Sequence, residues 1–171
     1  DGRGLLDHLG IERAVLGGMS QGGFLSLRAA LTAPDRVRGL ILLDTQAGPE
    51  APEAIEAYGA MTQTWLDAGP IDDLVNVIAS IIIDEPEANA HWIAKWRELD
   101  ARAGRDGMMR ASEGLYGRDD ITGRLGEITC PALVVHGTED TAITMDLAEA
   151  LAEGLVLDGD PRMGKVGTEL S

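Results

Sequence analysis

Three short apolar runs punctuate the chain: Ala14–Leu16, Leu40–Leu43 at the end of a run that starts at Val37, and Leu133–Val135 after Pro131. Runs that are apolar almost without interruption are typical of strands covered on both faces, as in a parallel sheet flanked by helices. Between the first two runs, Phe24, Leu27 and Leu31 recur at helical spacing. Pro34 disfavours helix just before it, so this helix is expected to end near Ala33. Strand, helix and strand then form a right-handed βαβ unit. Upstream, Gly4–Leu9 reads as the end of a helix closed by Gly10. Downstream, Thr144–Leu155 reads as a helix with Met145, Leu147, Ala148 and Leu151 as its apolar stripe and Thr144 as its cap. Leu155-Val156-Leu157 is expected to begin a fourth strand. Residues 158–171 have no usable periodicity and read as an irregular tail.

The pattern changes between the second and third strands. Thr45–Pro52 reads as a linker, and helical spacing dominates from about Glu53 to Arg118. Ile55, Tyr58, Met61, Thr62 and Trp65 share one helical face. Gly69-Pro70 interrupts, and Ile71–Ile83 resumes the period. Pro86 is placed to open a further helix carrying Trp92, Trp96 and Leu99, followed by a last segment over Asp106–Leu115. All three tryptophans and both tyrosines fall in this insert. They are read as its small core, with an apolar pocket facing Ser20 as the functional alternative. Ile121–Ile128 is a short amphipathic approach to the third strand. The expected organisation is an α/β core over 1–48 and 119–157, a helical insert over 49–118, and the tail.

Composition narrows the function classes. A net charge of −15 argues against nucleic-acid and anionic-membrane partners. The single cysteine, Cys130, excludes an internal disulfide and reads as a buried structural thiol in a reducing compartment. No apolar run reaches membrane-spanning length and there is no signal peptide, so a cytoplasmic location is expected.

The candidate chemistry lies between the first strand and its helix. Gly18-Met19-Ser20-Gln21-Gly22 fits Gly-x-Ser-x-Gly on a strand-to-helix turn. So tight a turn strains the serine backbone, and glycine neighbours let strand and helix approach closely. The Gln21 N–H and the positive end of the helix dipole are aimed at one point, where an anion can be held. A phosphate-binding loop needs a lysine after the glycines, and none follows Gly22-Gly23. No register of these glycines supplies a dinucleotide fingerprint.

Three segments together resemble the α/β-hydrolase fold family over Leu5 to about Leu157. They are the Gly-Met-Ser-Gln-Gly-Gly turn, Pro34-Asp35-Arg36-Val37 leading into Leu40–Asp44, and Ile128–Asp140 with His136-Gly137-Thr138-Glu139-Asp140 at its end. The resemblance implies a partial, mostly parallel, doubly wound sheet with a helical cap insert. It also implies a serine nucleophile at Ser20, an oxyanion donor at the Gln21 backbone N–H, and the triad acid at Asp140. No metal or organic cofactor is implied, and the partner is a small molecule with an apolar part; oligomerisation is left open. Ester, lactone or similar activated-carbonyl hydrolysis is the implied reaction, with carbon–carbon bond hydrolysis and cofactor-free perhydrolysis open to the same triad.

The chain departs from the family in one respect that bears on activity. The family's histidine follows the acid, and no histidine follows His136. His8, His91 and His136 are poorly placed to replace it. The early strands of the family are also missing. The chain therefore reads as an inactive fragment, truncated at the front and either truncated or carrying an out-of-frame tail after Leu157. A non-catalytic, ligand-binding relative is the competing expectation.

Overall fold

A computed structural model of the chain describes residues 2–83 and 90–155, with side chains for all of these but 99–103. In chain order the elements are α1 (Gly2–His8), β1 (Ala14–Met19), α2 (Gln21–Thr32), a 3-10 turn (Pro34–Arg36), β2 (Val37–Leu43), α3 (Pro52–Ala68), α4 (Asp72–Ile82), α5 (Ala90–Tyr116), a second 3-10 segment (Thr122–Glu127), β3 (Ala132–Val135) and α6 (Met145–Leu155). They form two compact units, Asp1–Gly48 with Asp120–Ser171, and Pro49–Asp119.

The first unit is built on a parallel sheet of order β1-β2-β3, as the three apolar runs predict. Leu16 lies beside Leu40 and Met19 beside Leu43, while Leu40 and Leu43 lie beside Ala132 and Val135. Strand side chains alternate between faces. Leu40, Leu42 and Val134 point into a core with Phe24 and Leu27 of α2, Leu151 and Leu155 of α6, and Leu125. Leu27, Leu42 and Leu125 are fully buried, each contributing about 1.5–3 kcal/mol of transfer free energy. The expectation that both faces are covered is met on one face only among the described residues. On the other, Val15, Met19, Ile41 and Leu133 are 39–63% exposed. Arg36 fastens the approach to β1 by donating to the carbonyls of Glu12 and Ile11 and pairing with Asp7.

Several expectations are corrected. β1 runs on through Gly17-Gly18-Met19, because these residues pair with Ile41–Leu43. Thr45, Gln46 and Ala47, which open the expected linker, are buried. The Ala47 carbonyl accepts the Ile121 N–H, which closes the unit where the chain returns to it. Cys130 is half-buried rather than buried; desolvation nonetheless pushes its thiol pKa up, which fits an inert thiol. Pro86 and the expected opening of its helix, part of the fourth strand and the tail lie outside the described residues.

The second unit is helical. Pro52 opens α3 at a position where its missing N–H has no helical partner to lose, and Gly69 at φ 75° ends it. α3 packs on α4 and α5. The two expected helices after Pro86 both form and meet within α5 at Gly104, whose φ of 66° and ψ of 176° are not helical and are adopted by glycine without strain. Polar links tie the unit. The hydroxyls of Thr62 and Tyr116 lie 2.5 Å apart, and those of Thr62 and Ser112 3.2 Å apart. Arg97 donates to the Pro70 carbonyl and to Asp72. Arg118 pairs with Glu50 at 2.6 Å, their side chains 1% and 11% exposed. Burial pulls the Arg118 pKa down, and the Glu50 charge opposes that shift. Of the aromatics read as core, Tyr58, Trp65, Trp96 and Tyr116 are half-buried. Trp92 is 48% exposed and stacks beneath the Lys95 ammonium. No helix among the described residues is long and apolar enough to cross a membrane.

Candidate active site

Ser20 sits between the last residue of β1 and the first of α2, with φ 49° and ψ −120°. A non-glycine residue at positive φ is uncommon and strained. The turn is as tight as glycine-only packing allows. A Cβ at Gly18 would lie 2.2 Å from the Gly22 backbone carbon, and a Cβ at Gly23 2.6 Å from Thr45 Cγ2. Serine at a helix N-terminus ordinarily caps it with its side chain, yet Ser20 makes no such bond. Its backbone carbonyl instead accepts the N–H groups of Gly23 and Phe24. Gln21 is the first residue of α2, so its N–H belongs to the electropositive end of the helix.

Asp140 follows β3 and lies in the region beyond the carboxyl ends of the parallel strands, where open α/β sheets place their sites. Its Oδ1 accepts the N–H groups of Ala142 at 2.8 Å and Ile143 at 3.0 Å, which fixes the side chain in its own turn. Its Oδ2 has no hydrogen-bond partner among the described residues.

Two residues near Asp140 are not singled out by the sequence for what they do. The His136 side chain is 2% exposed. Its Nε2 lies 2.7 Å from the Ile143 carbonyl, and since a carbonyl only accepts, that nitrogen carries the proton. Among the described residues its Nδ1 has no hydrogen-bond partner, and it lies 3.7 Å from Asp44 Oδ1. Asp44, at φ 41°, accepts the Gly137 N–H on the same oxygen at 2.9 Å. The sequence offers a partial signal for His136 in its spacing four residues before Asp140. It offers none for Asp44, whose partner Gly137 is 93 residues away.

Asp44, His136 and Asp140 each bring one potential ligand atom within 4.8 Å of the others, the group among the described residues that could hold a metal. Asp44 Oδ1 and His136 Nε2 are already occupied by hydrogen bonds within the fold. These bonds brace the Asp140 turn and leave His136 Nδ1 and Asp140 Oδ2 without a hydrogen-bond partner among the described residues. His8 lies on α1 and His91 at the start of α5, both exposed.

The family described as alpha/beta hydrolase fold matches residues 3–156. Among curated relatives, a 2-hydroxy-6-oxononadienedioate/2-hydroxy-6-oxononatrienedioate hydrolase of Paraburkholderia phymatum is 29% identical over 90% of this chain and 55% of its own length. A 2-hydroxy-6-oxo-6-phenylhexa-2,4-dienoate hydrolase of Comamonas testosteroni is 27% identical over 94% of this chain and 57% of its own. Among solved structures, a thermophilic esterase from Thermogutta terrifontis is 32% identical with a TM-score of 0.79, covering 97% of this chain and 60% of the esterase. The enol-lactonase of Burkholderia xenovorans is 26% identical with a TM-score of 0.76, covering 90% and 58%. The chain thus spans little more than half the length of the relatives it matches.

Proposed function

Because the chain belongs to the α/β-hydrolase fold family, we propose that it carries the nucleophile and the acid of a serine hydrolase. Ser20 is the nucleophile, the Gln21 N–H is one oxyanion donor, and Asp140 orients the base. The observation that carries this reading is the Ser20 backbone. A strained serine that forgoes the capping bond its position offers serves no need of the helix. Strain of this kind, about 1–3 kcal/mol, gathers at functional sites.

In the reaction, a histidine takes the Ser20 proton as Oγ attacks the substrate carbonyl. The oxyanion gathers at the N-terminus of α2, where the Gln21 N–H and the helix dipole favour negative charge. The leaving group takes the proton from the imidazolium, and water then releases the acyl-enzyme. Asp140, with one oxygen held by two amides, presents the other to the imidazole. His136 is not the base on this reading, since its Nε2 proton is given to Ile143 and its ring is buried. The base is then a histidine outside these 171 residues. Two strand spacings, about 10 Å, separate β1 from β3. An imidazole with a hydrogen bond of about 2.8 Å at each nitrogen bridges a gap of that order. The helical unit Pro49–Asp119 is read as the counterpart of the family's cap insert.

Esters and lactones are the first substrates to try, given the similarity to an esterase and an enol-lactonase. The named substrates of the two dienoate hydrolases contain no ester, so their hydrolysis breaks a carbon–carbon bond, and that similarity favours C–C cleavage as the second reading. The test is turnover of p-nitrophenyl esters, an enol lactone and a 2-hydroxy-6-oxo-dienoate by the full-length protein and its Ser20→Ala and Asp140→Asn variants. Both variants are expected to lose about a hundredfold or more with the fold retained. Ser20→Ala turning over at the parent rate would remove the nucleophile assignment. A folded parent inert towards all three substrate classes would favour a non-catalytic binder.

A further inference from the structure

The segment that leaves β2 touches both halves of the candidate site. On one side it holds Ser20. The Ser20 N–H donates to the carbonyls of Leu43 and Asp44, both at 3.0 Å. The Thr45 hydroxyl donates back to the Ser20 carbonyl at 2.6 Å. Thr45 is 1% exposed, and its side chain abuts Gly23 so closely that no Cβ fits there. The N–H and C=O of Ser20 are therefore both gripped by three consecutive residues, Leu43 to Thr45.

On the other side the same segment holds the turn that carries Asp140. The Asp44 N–H donates to the Val135 carbonyl at 3.0 Å, and Asp44 Oδ1 accepts the Gly137 N–H. From there His136 reaches the Ile143 carbonyl, and the Ile143 N–H grips Asp140 Oδ1. Hydrogen bonds joined by neighbouring residues of the chain thus link the Ser20 backbone to the Asp140 carboxylate through Asp44 and Thr45. Like Ser20, Asp44 is at positive φ. The strain is local to the residues that turn the chain between the two sides.

We propose that Asp44 and Thr45 are positioning residues that set Ser20 and Asp140 at their working separation, Thr45 through the Ser20 carbonyl and Asp44 through the Gly137 amide. Neither touches substrate on this proposal. It rests on the serine-hydrolase reading for its effect on rate, whereas its hydrogen bonds can be examined without that reading. Displacements of about 1 Å at a reacting group can cost about a hundredfold in rate, so a hydroxyl that fixes the nucleophile's backbone has leverage beyond its own bond.

Thr45→Val keeps the shape against Gly23 and removes the hydroxyl, whereas Thr45→Ser keeps the hydroxyl. In the full-length protein, Thr45→Val is expected to lower kcat by about tenfold or more with KM unchanged. Thr45→Ser should recover kcat to within about threefold of the parent. Asp44→Ala should lower kcat similarly, with Asp44→Asn, which keeps an acceptor for Gly137, intermediate. Equal kcat in the parent and Thr45→Val, or equal losses in the valine and serine variants, would overturn the proposal. A kcat loss that only tracks the unfolded fraction in thermal melts would overturn it too. The Ser20 carbonyl 13C resonance should shift in Thr45→Val and not in Thr45→Ser. An unmoved resonance overturns the bracket even if Ser20→Ala shows that Ser20 is not the nucleophile, so the two failures remain distinct.

Discussion

In the sheet unit, Leu27, Leu42 and Leu125 are wholly buried, and backbones approach so closely at Gly18 that no side chain fits. In the helical unit, the buried apolar side chains among the described residues are Leu74, Val75 and Ala79, all on α4. It also carries long-range polar ties: Arg118 to Glu50, Thr62 to Tyr116 and Ser112, Arg97 to Asp72 and Pro70. Buried apolar side chains and close backbone contact surround the Ser20 turn, whereas polar side-chain bonds recur across the helical unit. A reacting serine needs its backbone fixed to a fraction of an ångström.

Gly18→Val should break the contrast most severely. Its Cβ would fall 2.2 Å from backbone that cannot yield, and a loss of about 4 kcal/mol or more is expected, read as failure to fold or a collapsed urea midpoint. Arg118→Ala should come next. It leaves the Glu50 carboxylate 11% exposed without its partner, and removing one member of a buried pair typically costs about 3 kcal/mol. Replacing both residues, as Arg118→Met with Glu50→Leu, should recover most of that loss. If the single and double variants melt alike, the charge pairing is not what matters there.

Smaller changes sharpen the comparison. Thr62→Val takes a partner from the Tyr116 and Ser112 hydroxyls and should cost about 1 kcal/mol in denaturant unfolding. Gly59 lies inside α3, and an added methyl group there would meet nothing within 4 Å. Gly59→Ala should therefore stabilise by about 0.5–1 kcal/mol, the opposite sign to Gly18. A destabilising Gly59→Ala would mean that the helical unit is packed as closely as the sheet unit.

What is legible in the sequence is what local pattern encodes. Leu40-Ile41-Leu42-Leu43 is apolar on both faces and reads as parallel strand without any knowledge of its neighbours. Gly18-Met19-Ser20-Gln21-Gly22 announces its turn because only glycine tolerates the approach. Thr45 reads as the start of a linker, and Asp44 only as the residue that ends the second apolar run. Their roles come from partners 25 and 93 residues away, which no periodicity reveals. His136 invites comparison with a catalytic base, but its bond to Ile143 gives it a bracing role that depends on how the turn after β3 folds back. The two helical segments expected after Pro86 are legible from their spacing, and the non-helical backbone of Gly104 lies between them.

The central claim is that Ser20 attacks the substrate. Its most direct test is peptide mapping by mass spectrometry after the full-length protein reacts with a fluorophosphonate. The account predicts a single phosphonylated peptide containing Gly17–Arg28, with the adduct on Ser20 and none in Ser20→Ala. Modification of another residue, or an adduct that persists at the same rate in Ser20→Ala, would contradict it.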